Sequence, residues 1–112
     1  MNVVERNGYV VVEFPKKVDR QTYNLAQNAF KNLLEKEYRL FALDFKNIDH
    51  IFSLEISIVI RLHKLVTERG AQLFLVNVNE NLVKVLGSVQ VNQTVPTYKT
   101  LEEFEIDKVP AK

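Results

Sequence analysis

Apolar positions recur along this chain with two periods. Short β-branched or aromatic runs alternate with longer stretches whose apolar residues return every three or four positions. Residues 9–14, Tyr9-Val10-Val11-Val12-Glu13-Phe14, form a strand-like run introduced by Asn7-Gly8, a hairpin signal when strands flank it. Val3-Val4-Glu5 supplies the partner strand, and Pro15 ends or bends the second one or places it at an edge. Asp19 is the cap candidate for a helix over residues 20–36, where Ala26, Ala29, Phe30, Leu33 and Leu34 share one face and Tyr23 extends it. Residues 39–45 read as a strand with Leu40 and Phe41 facing opposite layers. A loop through Asp49 and His50 then leads to a helix over residues 54–69. Its apolar residues Leu54, Ile56, Ile58, Val59, Ile60, Leu62, Leu65 and Val66 exceed a single stripe, which predicts a helix largely enclosed by the fold. Ser53 reads as its N-cap and Gly70 as its C-cap.

Residues 72–78 are the most apolar run and predict a central strand covered on both faces. Asn79 caps a short helix with Leu82, Val83, Val85 and Leu86, ending at Gly87. Residues 93–95 predict a short edge strand before Pro96. Thr100 and Glu103 have capping-box spacing at the start of a last helix, and a frayed, disordered tail is expected from about residue 107. Strands alternating with helices predict an α/β domain spanning residues 1–112. Its sheet is mixed and mostly parallel, with four to five strands packed by about four helices.

Composition narrows the function classes. Among 112 residues, 15 basic and 14 acidic side chains leave a net charge of +1, which offers no electrostatic footprint for nucleic acid or anionic lipid. The chain has no cysteine, hence no disulfide, thiolate nucleophile or thiolate metal site. The start lacks a signal-peptide pattern and no apolar run is long enough to span a bilayer, so a cytoplasmic protein is expected. Three isolated glycines exclude a phosphate-cradling or dinucleotide loop, and no cofactor or metal is called for. Asp49 and His50 are adjacent on a loop and admit either a site or a solvated pair. His63 reads as a structural helix residue. Catalysis is not indicated.

From Gly8 to about Glu105, and most strongly in its second half, the chain resembles the STAS family, the domain shared by anti-sigma factor antagonists and sulfate transporters. The resemblance is carried by Leu62-His63-Lys64-Leu65-Val66-Thr67-Glu68-Arg69-Gly70 and the apolar strand from Leu73 to Val78. Val85-Leu86 and Val95-Pro96-Thr97-Tyr98-Lys99-Thr100-Leu101-Glu102-Glu103 add to it, and Val18-Asp19 fits the family's acidic position. The resemblance implies a binding switch. In the antagonists, a serine at the start of the central helix, within Asp-Ser-Ser/Thr-Gly, is phosphorylated by a kinase that is also the anti-sigma factor. That kinase is of the histidine-kinase-like ATPase type, and a PP2C-type phosphatase resets the serine. Here the motif positions hold Phe52-Ser53-Leu54-Glu55, so only the serine is kept, and the glycine of a later Thr-Gly-Leu is Gln90.

Glu55 places a negative charge in the first turn, where it repels a phosphate on Ser53 and stabilises the helix start. The partner surface implied by the resemblance is the loop from Asp49 to Ser53, the first turns of the central helix and the neighbouring segment from Lys16 to Asp19. Its named residues are Asp19, Asp49, His50, Phe52, Ser53, Leu54, Glu55 and Ser57, with Ser53 as the phosphorylation candidate. The alternative is a phosphorylation-independent accessory subunit docking on a membrane transporter ATPase or another complex.

Overall fold

The computed structural model describes residues 1–110, the side chain of Asn92 excepted. In chain order the elements are β1 (Val3–Glu5), β2 (Val10–Glu13), α1 (Thr22–Glu35), β3 (Leu40–Asp44) and α2 (Ser53–Glu68). They continue with β4 (Gln72–Val76), α3 (Glu80–Ser88), the single turn α4 (Val91–Thr94) and α5 (Leu101–Lys108). The sheet order is β1-β2-β3-β4. The β1–β2 pair is antiparallel, and β2–β3 and β3–β4 are parallel, so the mixed, mostly parallel α/β architecture is observed.

The two-residue period of the strands separates two apolar layers. Val10, Val12, Phe41, Leu43, Leu73 and Leu75 face α1 to α4, where Phe30, Leu33, Val59, Leu62, Leu82 and Leu86 fill the main core. Tyr9, Val11, Ala42, Phe74 and Val76 face the other way, onto Phe104 of α5. Leu40 and Phe41 therefore serve opposite layers, as their alternation predicts. Gly70 takes a φ of +74° just past α2, the left-handed conformation that ends a helix at low cost in glycine. Asn79 Oδ1 accepts from the Leu82 N–H (2.9 Å) and Thr100 Oγ1 from the Glu103 N–H (3.1 Å), so both predicted caps form.

Four expectations are corrected. First, β4 is the last strand of the ladder rather than a central one; its apolar run reflects cover above and below, from α2 and α5. Second, the edge segment beside β4 is not residues 93–95. Val91–Thr94 coil into a turn, and the extended pairing falls on Thr97, opposite Leu75. Third, α2 is not enclosed. Ile58, Val59, Leu62 and Val66 form one buried stripe, while Leu54 and Ile60 are exposed. Fourth, the C-terminal tail starts later than residue 107: α5 continues through Lys108, and Val109 packs on the second layer. Residues 111–112 of that tail lie outside the described residues.

On the second layer, the Tyr9 hydroxyl donates to Glu105 and the Tyr98 hydroxyl to Asp107, tying α5 to the sheet. Burial, then the hydrogen bond to the carboxylate, pushes each phenol up to about 12. The folded chain therefore keeps both phenols neutral after an unfolded tyrosine would ionise near pH 10. Their contribution to stability is complete below about pH 10 and is lost as the pH rises towards about 12. Alkaline denaturation followed by phenolate absorbance is expected to show Tyr9 and Tyr98 titrating late, with stability declining across that window. If Tyr9→Phe and Tyr98→Phe left the late part of that titration unchanged, these tethers would be absent in solution.

Candidate functional site

The carboxyl ends of β2, β3 and β4 lie at one rim of the sheet, and the loops leaving them converge there. Crevices of this kind are where open α/β sheets most often place their sites. The loop from β3 to α2 is anchored before it presents anything. Asp44, 4% exposed, ends β3, and its Oδ1 accepts from the Lys46 N–H (2.9 Å) and Asn77 Nδ2 (3.0 Å). Asn77 adopts a left-handed φ of +58°, and its own Oδ1 accepts from the Leu101 N–H (3.1 Å). Asn79 Nδ2 reaches the Ile48 carbonyl (3.4 Å). On the β2 side, Asn47 Nδ2 donates to Glu13 Oε1 (2.5 Å), and Lys46 pairs with Glu13 at 3.5 Å. Ile48 and Ile51 insert into the main core. These ties fix the loop while its outer side chains stay in solvent.

The exposed side chains are the ones of interest. Asp49, His50, Phe52, Ser53, Leu54 and Ser57 are all exposed; Phe52 is 67% and Leu54 41% accessible. The His50 and Phe52 rings lie 6.3 Å apart, tilted by 34°. A cleft of about 220 Å³ is lined by Lys16, Asn47, Ile48, Asp49, His50, Phe52 and Glu55. Four of the predicted partner residues, Asp49, His50, Phe52 and Glu55, thus share one cleft, and Lys16 brings in the β2–α1 loop. Ser53, Leu54 and Ser57 lie outside that lining, on α2 itself.

Asp19 does other work. Its Oδ1 accepts from the Gln21 N–H (2.9 Å) while its own N–H donates to Thr22 Oγ1 (2.9 Å). This reciprocal pair nucleates the turn before α1, whose first helical residue is Thr22 rather than residue 20. The Asp44–Asn77 pair was not foreseen. Its one signal in the sequence is a carboxylate ending an apolar strand, followed a strand later by an asparagine in the same place.

Ser53 is not the cap of α2. The N-cap is Phe52, in extended conformation, and Ser53 is the first helical residue. Glu55 Oε1 accepts the Phe52 N–H at 2.9 Å. Because phenylalanine has no side-chain acceptor, only this half of a capping box forms. The carboxylate also complements the positive end of the helix. The Ser53 hydroxyl makes no hydrogen bond among the described residues, and neither do the N–H groups of Ser53, Leu54 and Glu55. Its oxygen is therefore free for chemistry that a capping serine would have to give up.

His63 lies half-buried nearly three turns beyond Ser53, and burial lowers its pKa. Among the described residues, no group of three or more His, Asp or Glu side chains is placed to hold a metal ion. No helix among them is long and apolar enough to cross a membrane.

The STAS domain model matches residues 1–104. A Thermotoga maritima protein solved by NMR superposes with a TM-score of 0.82 at 22% identity, over 98% of this chain and 88% of that one. An anti-sigma-factor antagonist (STAS) domain protein from Planctomyces limnophilus gives 0.76 at 19%, over 94% of each chain. A sulfate transporter family protein from Wolinella succinogenes gives 0.75 at 14%, over 89% of this chain and 84% of that one. A comparison with curated sequences finds no match.

Proposed function

The chain belongs to the STAS domain family, and from that premise we propose that it is a non-enzymatic regulatory module that binds a partner protein through the N-terminal end of α2. The partner it suits is an anti-sigma factor that is also a serine kinase of the histidine-kinase-like ATPase type. Partner switching would then follow modification of Ser53, with a PP2C-type phosphatase resetting it. One observation carries this reading: two apolar side chains, Phe52 and Leu54, stand exposed on either side of an exposed serine whose hydroxyl is unengaged. An exposed aromatic on a tethered loop suits an interface anchor, since it is already presented and little ordering remains to be done on binding.

A second reading is favoured by the bond from the Phe52 N–H to Glu55. It keeps a carboxylate at the helix start, and a phosphate on Ser53 would sit against that charge. On this reading the fold docks on a transporter ATPase or another complex without any modification.

Native co-purification on tagged chain, with peptide mass spectrometry across Ser53, separates the two. Recovery of a histidine-kinase-like ATPase together with phosphate on Ser53 supports the switch. The purified kinase with ATP is then expected to label the wild type and not Ser53→Ala, which should keep binding whether or not ATP is present. Label persisting on Ser53→Ala would remove Ser53 from the mechanism. Transporter subunits in the eluate with Ser53 unmodified would favour the docking reading.

A further inference from the structure

A four-stranded sheet has two lateral edges, and this chain closes one of them. Beside β4, the Leu75 N–H donates to the Pro96 carbonyl (3.0 Å) and the Tyr98 N–H to the Leu75 carbonyl (2.8 Å). Among the described residues, the outer edge of β1 has no such cover. The Glu13 N–H donates to the Asn2 carbonyl and the Arg6 N–H to the Tyr9 carbonyl, both at 2.9 Å. The register pairs Val3 with Val12, Val4 with Val11 and Glu5 with Val10. In an antiparallel ladder, alternate residues turn their main-chain groups towards the same neighbour. Asn2, Val4 and Arg6 therefore face β2, and Val3 and Glu5 face outward. Two N–H and two C=O groups stand in a row without a partner among the described residues. Such a row is a template for another strand.

We propose that this edge pairs with β1 of a second copy of the chain, antiparallel about a two-fold axis at Val4, joining two sheets into one of eight strands. The register follows from the edge itself. With Val3 opposite Glu5 of the partner subunit, and the reverse, all four outward groups on each strand find partners. Moving the axis to Glu5 sets two glutamates opposite one another, and moving it to Val3 leaves Glu5 reaching beyond the partner strand. A one-residue slip opposes outward groups to inward ones.

The side chains agree with this register. Val4, 43% exposed, meets Val4 of the partner subunit in a non-hydrogen-bonded pair, where side chains approach most closely. Each Glu5 carboxylate arrives with its own partners, Lys36 Nζ at 3.2 Å and the Tyr38 hydroxyl at 3.1 Å. The strand has only three residues, so the contact is small and the dimer forms at high concentration or when copies are clustered. Because α2 packs against α1 and β4, at the far side of the sheet, both candidate sites stay open in the dimer.

The absence of cysteine makes the test direct. Val4→Cys carries the only thiol, next to its own copy across the axis. Ile106→Cys, at a side chain that is 85% exposed, reports random collision. Under mild oxidation, Val4→Cys is expected to form a disulfide-linked dimer about tenfold or more faster than Ile106→Cys, since a non-hydrogen-bonded pair holds two Cβ atoms near disulfide range. Adding Val3→Pro to Val4→Cys removes an outward N–H and no hairpin bond, and is expected to slow linkage to the control rate. Equal rates for the two single-cysteine variants would overturn the proposal, whatever the proline variant does. Fast linkage that a folded Val3→Pro variant leaves unchanged would also overturn it, because the edge hydrogen bonds would not be the contact.

Discussion

Phe104→Ala is expected to lower the free energy of unfolding by about 3–5 kcal/mol, the range for removing a fully buried phenylalanine. Phe104 is the one buried residue of α5, and α5 is the one helix on the second face of the sheet among the described residues. Its ring lies 5.2 Å from Phe74 and 5.8 Å from both Tyr9 and Tyr98. Truncation leaves a cavity under a helix whose other apolar contacts with that layer, Leu101 and Val109, are only partly buried. The Tyr9–Glu105 and Tyr98–Asp107 tethers then hold a helix that no longer excludes water. Urea denaturation measures the loss, and Ile106→Ala, two residues on at the opposite, solvent-facing side of α5 and 85% exposed, is the control expected to change stability by no more than about 0.5 kcal/mol. A Phe104→Ala variant as stable as that control would mean that α5 contributes nothing to the fold in solution.

The second large effect is on binding and leaves the fold untouched. Phe52→Ala is expected to weaken binding to the proposed partner, an anti-sigma factor kinase, by about 2 kcal/mol, roughly thirtyfold in Kd, as truncation of an aromatic anchor does. The monomer has little to lose. Phe52 is two-thirds exposed, its ring neighbour His50 is exposed too, and its contribution to α2 is a backbone N–H to Glu55 and a carbonyl to the Ile56 N–H, both of which alanine also provides. The melting temperature should therefore stay within the error of the wild type while titration calorimetry registers the loss. An unchanged Kd would remove Phe52 from the interface and with it the main support for the proposed partner surface.

The candidate site was only partly legible before folding. Asp49, His50, Phe52 and Glu55 are close in sequence, so any loop entering α2 would bring them near each other. Lys16 enters the same cleft from a different crossover; the family resemblance implies that its segment neighbours the loop, and nothing local announces it. The buried Asp44 and left-handed Asn77 are a strand apart in sequence and adjacent in space. Their bond is a consequence of parallel pairing between β3 and β4, which no window of sequence contains. Ser53 stands one place inside the helix for a local reason. A serine ahead of an apolar run is the favoured cap, but Glu55 reaches back to the Phe52 N–H and moves the helix start one residue earlier.

By itself, the sequence determined the kinds of elements, residues 93–95 excepted, and most of their ends, because these depend on short-range physics. The β-branched and aromatic runs of β2 and β3, the apolar stripe of α1, the caps at Asn79 and Thr100 and the glycine after α2 each act within one or two turns of chain. The tertiary structure alone decided which strand lies at the edge, which face of α2 stays in water and which residues meet at the rim. An apolar run such as residues 72–78 records that a strand is covered above and below. It carries no information about whether another strand lies beside it, since lateral pairing uses main-chain groups that every residue has.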